Sequence, residues 1–210
     1  MDKPISTSQT KDLIFWIKET TPEKDLRFIY ISHGHGDHWF GISVEQKHWS
    51  NVRIVATPST IAHMENHPSK FQDIWLKMFS NQIPTLLVLA EPMETNNFCM
   101  VGHEFRVIQV GQTDTHDTTV LYVSSIDVVV AGDVVYGDVH QFFGEANTPD
   151  KRKEFLRALD TIEDLKPHTV VAGHKRAGTV HGLFNVRSTR GYTLAFEEAV
   201  NTSSNWEGLF

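Results

Sequence analysis

Residues 26–38 read LRFIYISHGHGDH, and this stretch decides the fold. Its first half is an apolar run of strand length, and its second half brings three histidines and one aspartate together at the strand end. Alternate residues of an extended chain point the same way, so His33, His35 and Asp37 converge on one side while His38 approaches from the other. A grouping of imidazoles with a carboxylate is typical of a metal site.

Two glycines alternate with these candidate ligands. Gly34 and Gly36 carry no side chain, so the backbone can turn sharply there and leave room for a cation and its water. Imidazole nitrogen and carboxylate oxygen suit zinc, and also iron or manganese. A chance cluster of histidines in a solvated loop is the alternative, and the density of ligand types argues against it.

This pattern resembles the HxHxDH motif of the metallo-β-lactamase superfamily, whose members are mostly binuclear metal hydrolases. Three later landmarks follow in the expected order, each beside a short β-branched run: Gly111-Gln112-Thr113, Gly132-Asp133 and Gly173-His174. The resemblance runs from about residue 26 to about residue 180. It implies a mixed α/β (α+β) fold, an N-terminally shortened αββα sandwich of the metallo-β-lactamase type, in a single domain over residues 1–210.

The resemblance also implies a ligand set, with Asp133 bridging two ions. It assigns to the first ion His33, His35 and Gln112. It assigns to the second ion Asp37, His38 and His174. The expected cofactor is zinc, as one or two ions, with iron or manganese as alternatives. Asp37 is the expected catalytic residue, because it would orient a metal-bound hydroxide that attacks a carbonyl group.

One position departs from the family pattern. The first site is usually completed by a histidine where this sequence has Gln112, and an amide oxygen is a weaker zinc ligand than imidazole. We therefore expect weaker binding at the first site, without loss of the fold. His116 is either a substitute ligand or an ordinary loop residue, and its spacing does not decide between these.

Aromatic and basic residues near the ligand landmarks are candidates for binding substrate: Trp39, Tyr136, His140 and Lys175. Core packing explains the aromatic side chains at least as well, and an exposed loop charge explains Lys175 equally well. The pair His63 and His67 has helical spacing but does not match a zinc motif, so we interpret it as surface.

The expected function is a metal-dependent hydrolase of a small ester, thioester, lactone or lactam. Two alternatives stay open. One is a degenerate member of the superfamily with a weakened metal site and little turnover. The other is an enzyme with a single iron that oxidises thiols.

Composition argues against several other classes. The net charge is −7 without a long basic run, which argues against a nucleic-acid partner. Cys99 is the only cysteine, which excludes an intrachain disulfide and thiolate-rich zinc sites. The apolar runs are of strand length and the N-terminal residues are polar, so we expect no membrane partner and a cytoplasmic location.

The N-terminal region suggests a homodimer. Members of the superfamily usually have several strands, often with an Asp-Gly turn, ahead of the helix that precedes HxHxDH. Here that helix is predicted to begin at Ser6 or Ser8. We therefore expect a sheet with an exposed edge that a second copy covers, an incomplete chain being the alternative.

Periodicity and turn residues predict the remaining elements. Helices are predicted up to residue 20 and over 39–49, 58–64, 69–79, 149–165 and 187–200, and strands over 26–31, 52–56, 86–89, 97–101, 105–110, 119–123, 128–131 and 170–172. The strands over 86–110 are expected to form an antiparallel meander.

Overall fold

The computed structural model describes residues 2, 4–66 and 69–209. These residues form two compact units, the first running to Thr95 and the second beginning at Asn96. Each unit has its own β-sheet and its own apolar core. The expectation of a single domain over residues 1–210 stays a prediction.

The first unit contains a three-stranded parallel sheet and four helices in its described part. Ser6 caps the first helix by accepting a hydrogen bond from the Gln9 amide, and Thr57 caps the third by accepting one from the Thr60 amide. Helices α1 to α4 span Thr7–Thr20, Ile42–Gln46, Pro58–Glu65 and Ser69–Met78, and strands β1 to β3 span Phe28–Tyr30, Arg53–Ala56 and Glu91–Pro92.

The core of the first unit holds both ends of the histidine segment. Ile29 and Ile31 precede the segment and are fully buried, while Trp39 and Phe40 follow it and are almost fully buried. All four side chains belong to one apolar cluster. Because a packed core resists displacement of its members, the segment between them has a fixed entry and a fixed exit.

The second unit contains a five-stranded sheet in the order β4-β5-β6-β7-β8, antiparallel except for the last pair, which is parallel. Phe155, Leu159 and Ile162 repeat at helical spacing and pack in the core of this unit. The strands span Asn97–Met100, His103–Gly111, Thr118–Val123, Val128–Gly132 and Thr169–Ala172, and helices α5 and α6 span Pro149–Asp164 and Leu183–Thr202.

Two of the predicted elements were wrong in extent or position. Residues 86–89 form no strand, and the neighbouring Glu91–Pro92, which read as a turn, forms β3 and pairs in parallel with β2. Leu86 and Leu89 are 61% and 40% exposed, so this apolar run is not the buried strand that its composition suggested. The helix predicted over 39–49 is reduced to α2, behind a 3-10 turn at Gly36–His38.

In the second unit the landmark residues leave the sheet at strand ends. β5 ends at Gly111, β7 ends at Gly132, and β8 ends at Ala172. Since β7 and β8 are parallel, Asp133 and His174 emerge at the same edge of the sheet. Among the helices that the structure describes, none combines the length and apolar character needed to cross a bilayer.

Candidate metal centre

Three histidine rings of the first unit pack against one another directly after β1. The ring centre of His33 lies 5.0 Å from that of His35 and 4.1 Å from that of His38. All three side chains are buried. Oδ2 of Asp37 lies 3.6 Å from Nε2 of His38, so a carboxylate faces the imidazole cluster. The structure therefore brings together the four ligands that were predicted from this segment.

Trp39 holds this segment in place. Its indole Nε1 donates a hydrogen bond to the carbonyl oxygen of Gly34 at 3.0 Å, and the side chain is only 2% exposed. The His38 amide closes the turn by donating to the carbonyl oxygen of His35 at 3.0 Å. Trp39 is thus a core residue of the first unit, and its expected contact with substrate stays a prediction.

The two glycines of the segment are needed because neighbouring side chains lie where a Cβ atom would be. A Cβ atom on Gly34 would lie 2.5 Å from Cγ of His63, and one on Gly36 would lie 2.3 Å from Cζ of Phe40. His63 is half-buried, and its ring centre is 6.1 Å from that of His35. Reading His63 as a surface residue was therefore wrong; His67 lies outside the described residues.

Asp2 and Ser32 determine which nitrogen is protonated in two of the rings. The Ser32 hydroxyl donates to Oδ2 of Asp2 at 2.8 Å, and its oxygen lies 2.9 Å from Nδ1 of His33. Because a hydroxyl has one proton to donate, Nδ1 of His33 is the donor in that second contact. Nδ1 of His38 lies 3.3 Å from Oδ2 of Asp2, and a carboxylate only accepts. In the neutral form of both rings, Nε2 therefore keeps the lone pair that a metal requires.

The Asp2 carboxyl is ionised in this environment. Burial by itself would raise its pKa, but the hydrogen bond and charge of His38, the charge of His33 and the Ser32 amide lower the pKa below its ordinary value of 3.8. The Ser32 amide donates to Oδ1 at 2.8 Å. Sequence reasoning missed Asp2, because no spacing relates it to the histidines.

In the second unit, Asp133 and His174 lie side by side, as predicted. Gly132 has a φ of 53°, which turns the chain sharply at the end of β7 and leads into Asp133. Oδ2 of Asp133 lies 3.2 Å from Nε2 of His174. A Cβ atom on Gly173 would lie 2.3 Å from Oδ1 of Asp133, so only glycine fits beside this carboxylate.

Tyr136 contacts both of these predicted ligands. Its hydroxyl donates to Oδ2 of Asp133 at 3.3 Å, and its ring stacks on His174 with 6.0 Å between ring centres. Burial and the nearby carboxylates of Asp133 and Asp114 raise the pKa of Tyr136 well above 10. The phenol is therefore a neutral hydrogen-bond donor to the Asp133 carboxylate.

The position of the missing histidine lies in the loop after β5. The side-chain amide nitrogen of Gln112 donates a hydrogen bond to the carbonyl oxygen of Thr113 at 3.0 Å. Nδ1 of His116 lies 2.7 Å from Oδ2 of Asp117, and the His116 side chain is 54% exposed. Asp114, which sequence reasoning missed, is fully buried and accepts a hydrogen bond from the Thr113 hydroxyl at 2.8 Å.

Two of the four predicted substrate residues line one cavity of the second unit. Tyr136 and His140 border a cavity of about 280 Å³, together with Tyr192. Nδ1 of His140 lies 2.8 Å from the Tyr192 hydroxyl. Lys175 is exposed, and its ammonium group donates to the carbonyl oxygen of Thr179 at 2.7 Å.

Each unit therefore contains side chains with the chemistry of metal ligands. The described residues that could hold a metal ion are His33, His35, Asp37 and His38 in the first unit, and Asp114, Asp133 and His174 in the second. Their mixture of imidazole and carboxylate groups fits zinc, iron or manganese.

Comparisons with known proteins agree with this chemistry. A model of the metallo-beta-lactamase superfamily matches residues 8–174. A metallo-beta-lactamase from Pontibacter korlensis is 19% identical, with a TM-score of 0.64 over 92% of this chain and 80% of that one. TMB-1 is 20% identical, with a TM-score of 0.61 over 95% of this chain and 80% of its own.

A third similar structure is FIM-1 from Pseudomonas aeruginosa in a mono-zinc form, which is 15% identical with a TM-score of 0.64 over 92% of this chain and 76% of its own. No curated protein matches the sequence. At these identities the structural likeness shows the fold, and it confirms the predicted mixed α/β class.

Proposed function

Because the chain belongs to the metallo-beta-lactamase superfamily, we propose that it is a metal-dependent hydrolase of a small ester, thioester, lactone or lactam. The observation that carries this proposal is the arrangement around His33 and His38. Asp2 and Ser32 fix both rings with Nδ1 protonated, so that Nε2 of each neutral ring is available to a metal.

We assign the metal ligands according to the superfamily pattern. Asp133 would be shared between two ions, and His33, His35, Asp37, His38 and His174 would hold them, together with one more group from the loop that contains Gln112. The close approach of Asp133 to His174 supports the assignment of these two residues to the same metal ion. When bound, the metal supplies a water of lowered pKa and polarises the carbonyl oxygen of the substrate.

The protein's own side chains then have separate tasks. Asp37 is partly exposed at 22%, which suits a group that takes a proton from the attacking water and exchanges it with solvent. Tyr136 holds Asp133 in place through its neutral hydroxyl. Asp2 holds His38, and through Ser32 also His33, in the tautomer that binds metal.

The space beside Tyr136 supports the proposal of a small substrate. A cavity of about 280 Å³ is at the small end of the range for ligand sites, which favours a small molecule. His140 on the cavity wall offers a hydrogen-bonding group to the substrate. Lys175, which is exposed, is proposed to bind a substrate carboxylate. The name of the similar Pontibacter protein, a metallo-beta-lactamase, is a reason to test lactams.

The experiment is hydrolysis of a panel of esters, thioesters, lactones and lactams by protein that is depleted of metal and then reloaded with zinc, manganese or iron. We expect activity only after reloading, and its loss in the His38→Ala and Asp37→Asn variants. His48→Ala is the matched control, because His48 is exposed on the same unit. Full activity in the metal-free protein, or in both site variants, would contradict the proposal.

Gln112 favours a second candidate, in which a single iron serves thiol oxidation. A site that lacks one of its imidazole ligands is suited to one tightly bound ion. The side-chain amide of Gln112 is already hydrogen-bonded to the carbonyl oxygen of Thr113. Oxygen consumption by iron-loaded protein with a persulfide, in the absence of hydrolysis of the panel, would select this function. A degenerate protein would show neither reaction.

A further inference from the structure

The loop after β5 offers three side chains in place of the histidine that the superfamily carries at position 112. They are Gln112 itself, His116 and Asp114. The sequence favours the first two, because one occupies the family position and the other is an imidazole. The structure separates the three by burial and by hydrogen bonding.

Gln112 and His116 are the weaker choices. The Gln112 amide nitrogen donates to the neighbouring carbonyl of Thr113 at 3.0 Å, which turns the side chain back onto its own loop. His116 is 54% exposed, and its Nδ1 is 2.7 Å from the carboxylate of Asp117. An exposed imidazole beside an exposed carboxylate is an ordinary surface pair.

Asp114 has the opposite environment. Its side chain is fully buried, and Oδ1 accepts a hydrogen bond from the Thr113 hydroxyl at 2.8 Å. Transfer of a carboxylate out of water carries a large desolvation cost, which hydrogen bonds and a bound cation offset. Asp114 is also one of the described residues whose side chain could hold a metal ion.

Tyr136 connects Asp114 with an assigned ligand in the same unit. The charges of both Asp133 and Asp114 raise the pKa of the Tyr136 phenol, so both carboxylates lie near this side chain. The Tyr136 hydroxyl is 3.3 Å from Asp133. Asp114 therefore belongs to the same buried region as the proposed bridging ligand.

We propose that Asp114 is the metal ligand that takes over the role of the histidine at position 112. This inference rests on the proposed function and refines its ligand set. A carboxylate in place of an imidazole makes the site more anionic and oxygen-rich, which shifts its preference toward manganese and iron relative to an all-histidine site.

The test compares the variants Asp114→Asn, Gln112→Ala and His116→Ala with the unchanged protein. Each is loaded with manganese or zinc, and its Kd is measured by competition with a chromophoric chelator, alongside metal content after dialysis. We expect Asp114→Asn to raise the Kd of the more weakly bound of the two metal ions at least about tenfold. The Gln112→Ala and His116→Ala variants are expected to keep the Kd of the unchanged protein.

A double variant distinguishes a ligand from a structural residue. Asp114→Asn/Gln112→His places an imidazole at the family position, and we expect it to recover zinc binding that the single Asp114→Asn variant has lost. A purely structural role for Asp114 would leave binding impaired in the double variant. Circular dichroism and thermal unfolding of both variants report whether the fold is kept.

Four outcomes would overturn the inference. Unchanged affinity in Asp114→Asn, or a loss in Gln112→Ala or His116→Ala, removes Asp114 from the ligand set but leaves the hydrolase proposal standing. Failure of the double variant to recover binding also removes it. Absence of metal binding in the unchanged protein contradicts both this inference and the proposed function.

Discussion

Oδ2 of Asp2 lies 3.3 Å from Nδ1 of His38. The same carboxylate oxygen accepts the Ser32 hydroxyl, whose oxygen in turn contacts Nδ1 of His33. One carboxylate near the start of the chain thereby fixes the protonated nitrogen of two candidate metal ligands. Partners of this kind behind a ligand commonly control metal affinity as well as ring orientation.

Replacement of Asp2 by asparagine should weaken metal binding. The side-chain amide of the introduced asparagine can donate a hydrogen bond to Nδ1 of His38. This favours the tautomer of His38 that carries its proton on Nε2. We expect the Kd for zinc to rise about 10- to 100-fold, measured by chelator competition. Asp12→Asn is the matched control, because Asp12 is exposed on α1. An equal Kd in the two variants would show that Asp2 does not position the rings.

Loss of the Tyr136 hydroxyl should loosen the Asp133 carboxylate. Tyr136→Phe removes the donor at 3.3 Å while keeping the ring that stacks on His174. A hydrogen bond to a charged group contributes about 1.5–3 kcal/mol, so we expect metal affinity to fall by about tenfold or more. Tyr192→Phe is the control, since its hydroxyl contacts His140. A larger effect from Tyr192→Phe would contradict this role.

Alanine at Gly36 should destabilise the fold, whereas alanine at Gly191 should stabilise it. A Cβ atom at position 36 would lie 2.3 Å from the buried ring of Phe40, and one at position 191 in α6 would meet nothing within 4 Å. We expect a loss of about 1–3 kcal/mol for Gly36→Ala and a gain of about 0.5–1 kcal/mol for Gly191→Ala. Urea unfolding of both variants measures these differences, and equal shifts would contradict the packing around Gly36.

The Arg152–Glu197 pair should make stability depend on pH. The hydrogen bond from Arg152 lowers the pKa of Glu197 below its ordinary value of 4.5. A lowered pKa in the folded state means that the stabilisation is present above pH 4.5 and is lost as the pH falls through the folded value. Because the Glu197 carboxylate is partly exposed to solvent, we expect Glu197→Gln to cost about 1 kcal/mol at pH 7, and this difference to shrink in acid.

The control for this pair is Glu198→Gln, because Glu198 is exposed on the same helix. Chemical unfolding between pH 7 and pH 3 gives the free energies for all three proteins. A deficit in Glu197→Gln that stays constant across this range would show that the ion pair is not the source of the pH dependence.

The sequence predicted the histidine segment because its chemistry is contiguous. Imidazoles, a carboxylate and the glycines between them stand next to an apolar strand, so local spacing alone indicates their convergence. Asp133 and His174 were predicted from the resemblance to the superfamily, whose landmarks they match just after short β-branched runs that form strands. In these places local pattern and tertiary position agree.

Residues that tertiary contacts bring to the site escaped prediction. Asp2 meets His38 only because Asp2 lies beside β1, where its backbone amide donates to the Tyr30 carbonyl. His63 approaches Gly34 from α3, on a helix whose histidine spacing had no metal motif. Asp114 differs from Gln112 and His116 in burial, a property that a single sequence does not encode locally.

The pairing of β3 escaped prediction for a related reason. Glu91–Pro92 is polar and contains a proline, which is typical of a turn, yet it forms a short strand at the edge of the first sheet beside β2. Proline is tolerated at such an edge, where its missing amide does not interrupt a ladder. The more apolar residues 86–89 gave the stronger signal and formed no strand.

The most direct test of a metal-dependent hydrolase is metal analysis of the protein purified without chelator, by inductively coupled plasma mass spectrometry. The account predicts at least about one equivalent of zinc, iron or manganese, which falls sharply in both His38→Ala and Asp133→Asn while His48→Ala keeps it. Less than about a tenth of an equivalent in the unchanged protein, with no uptake on reloading, would contradict it.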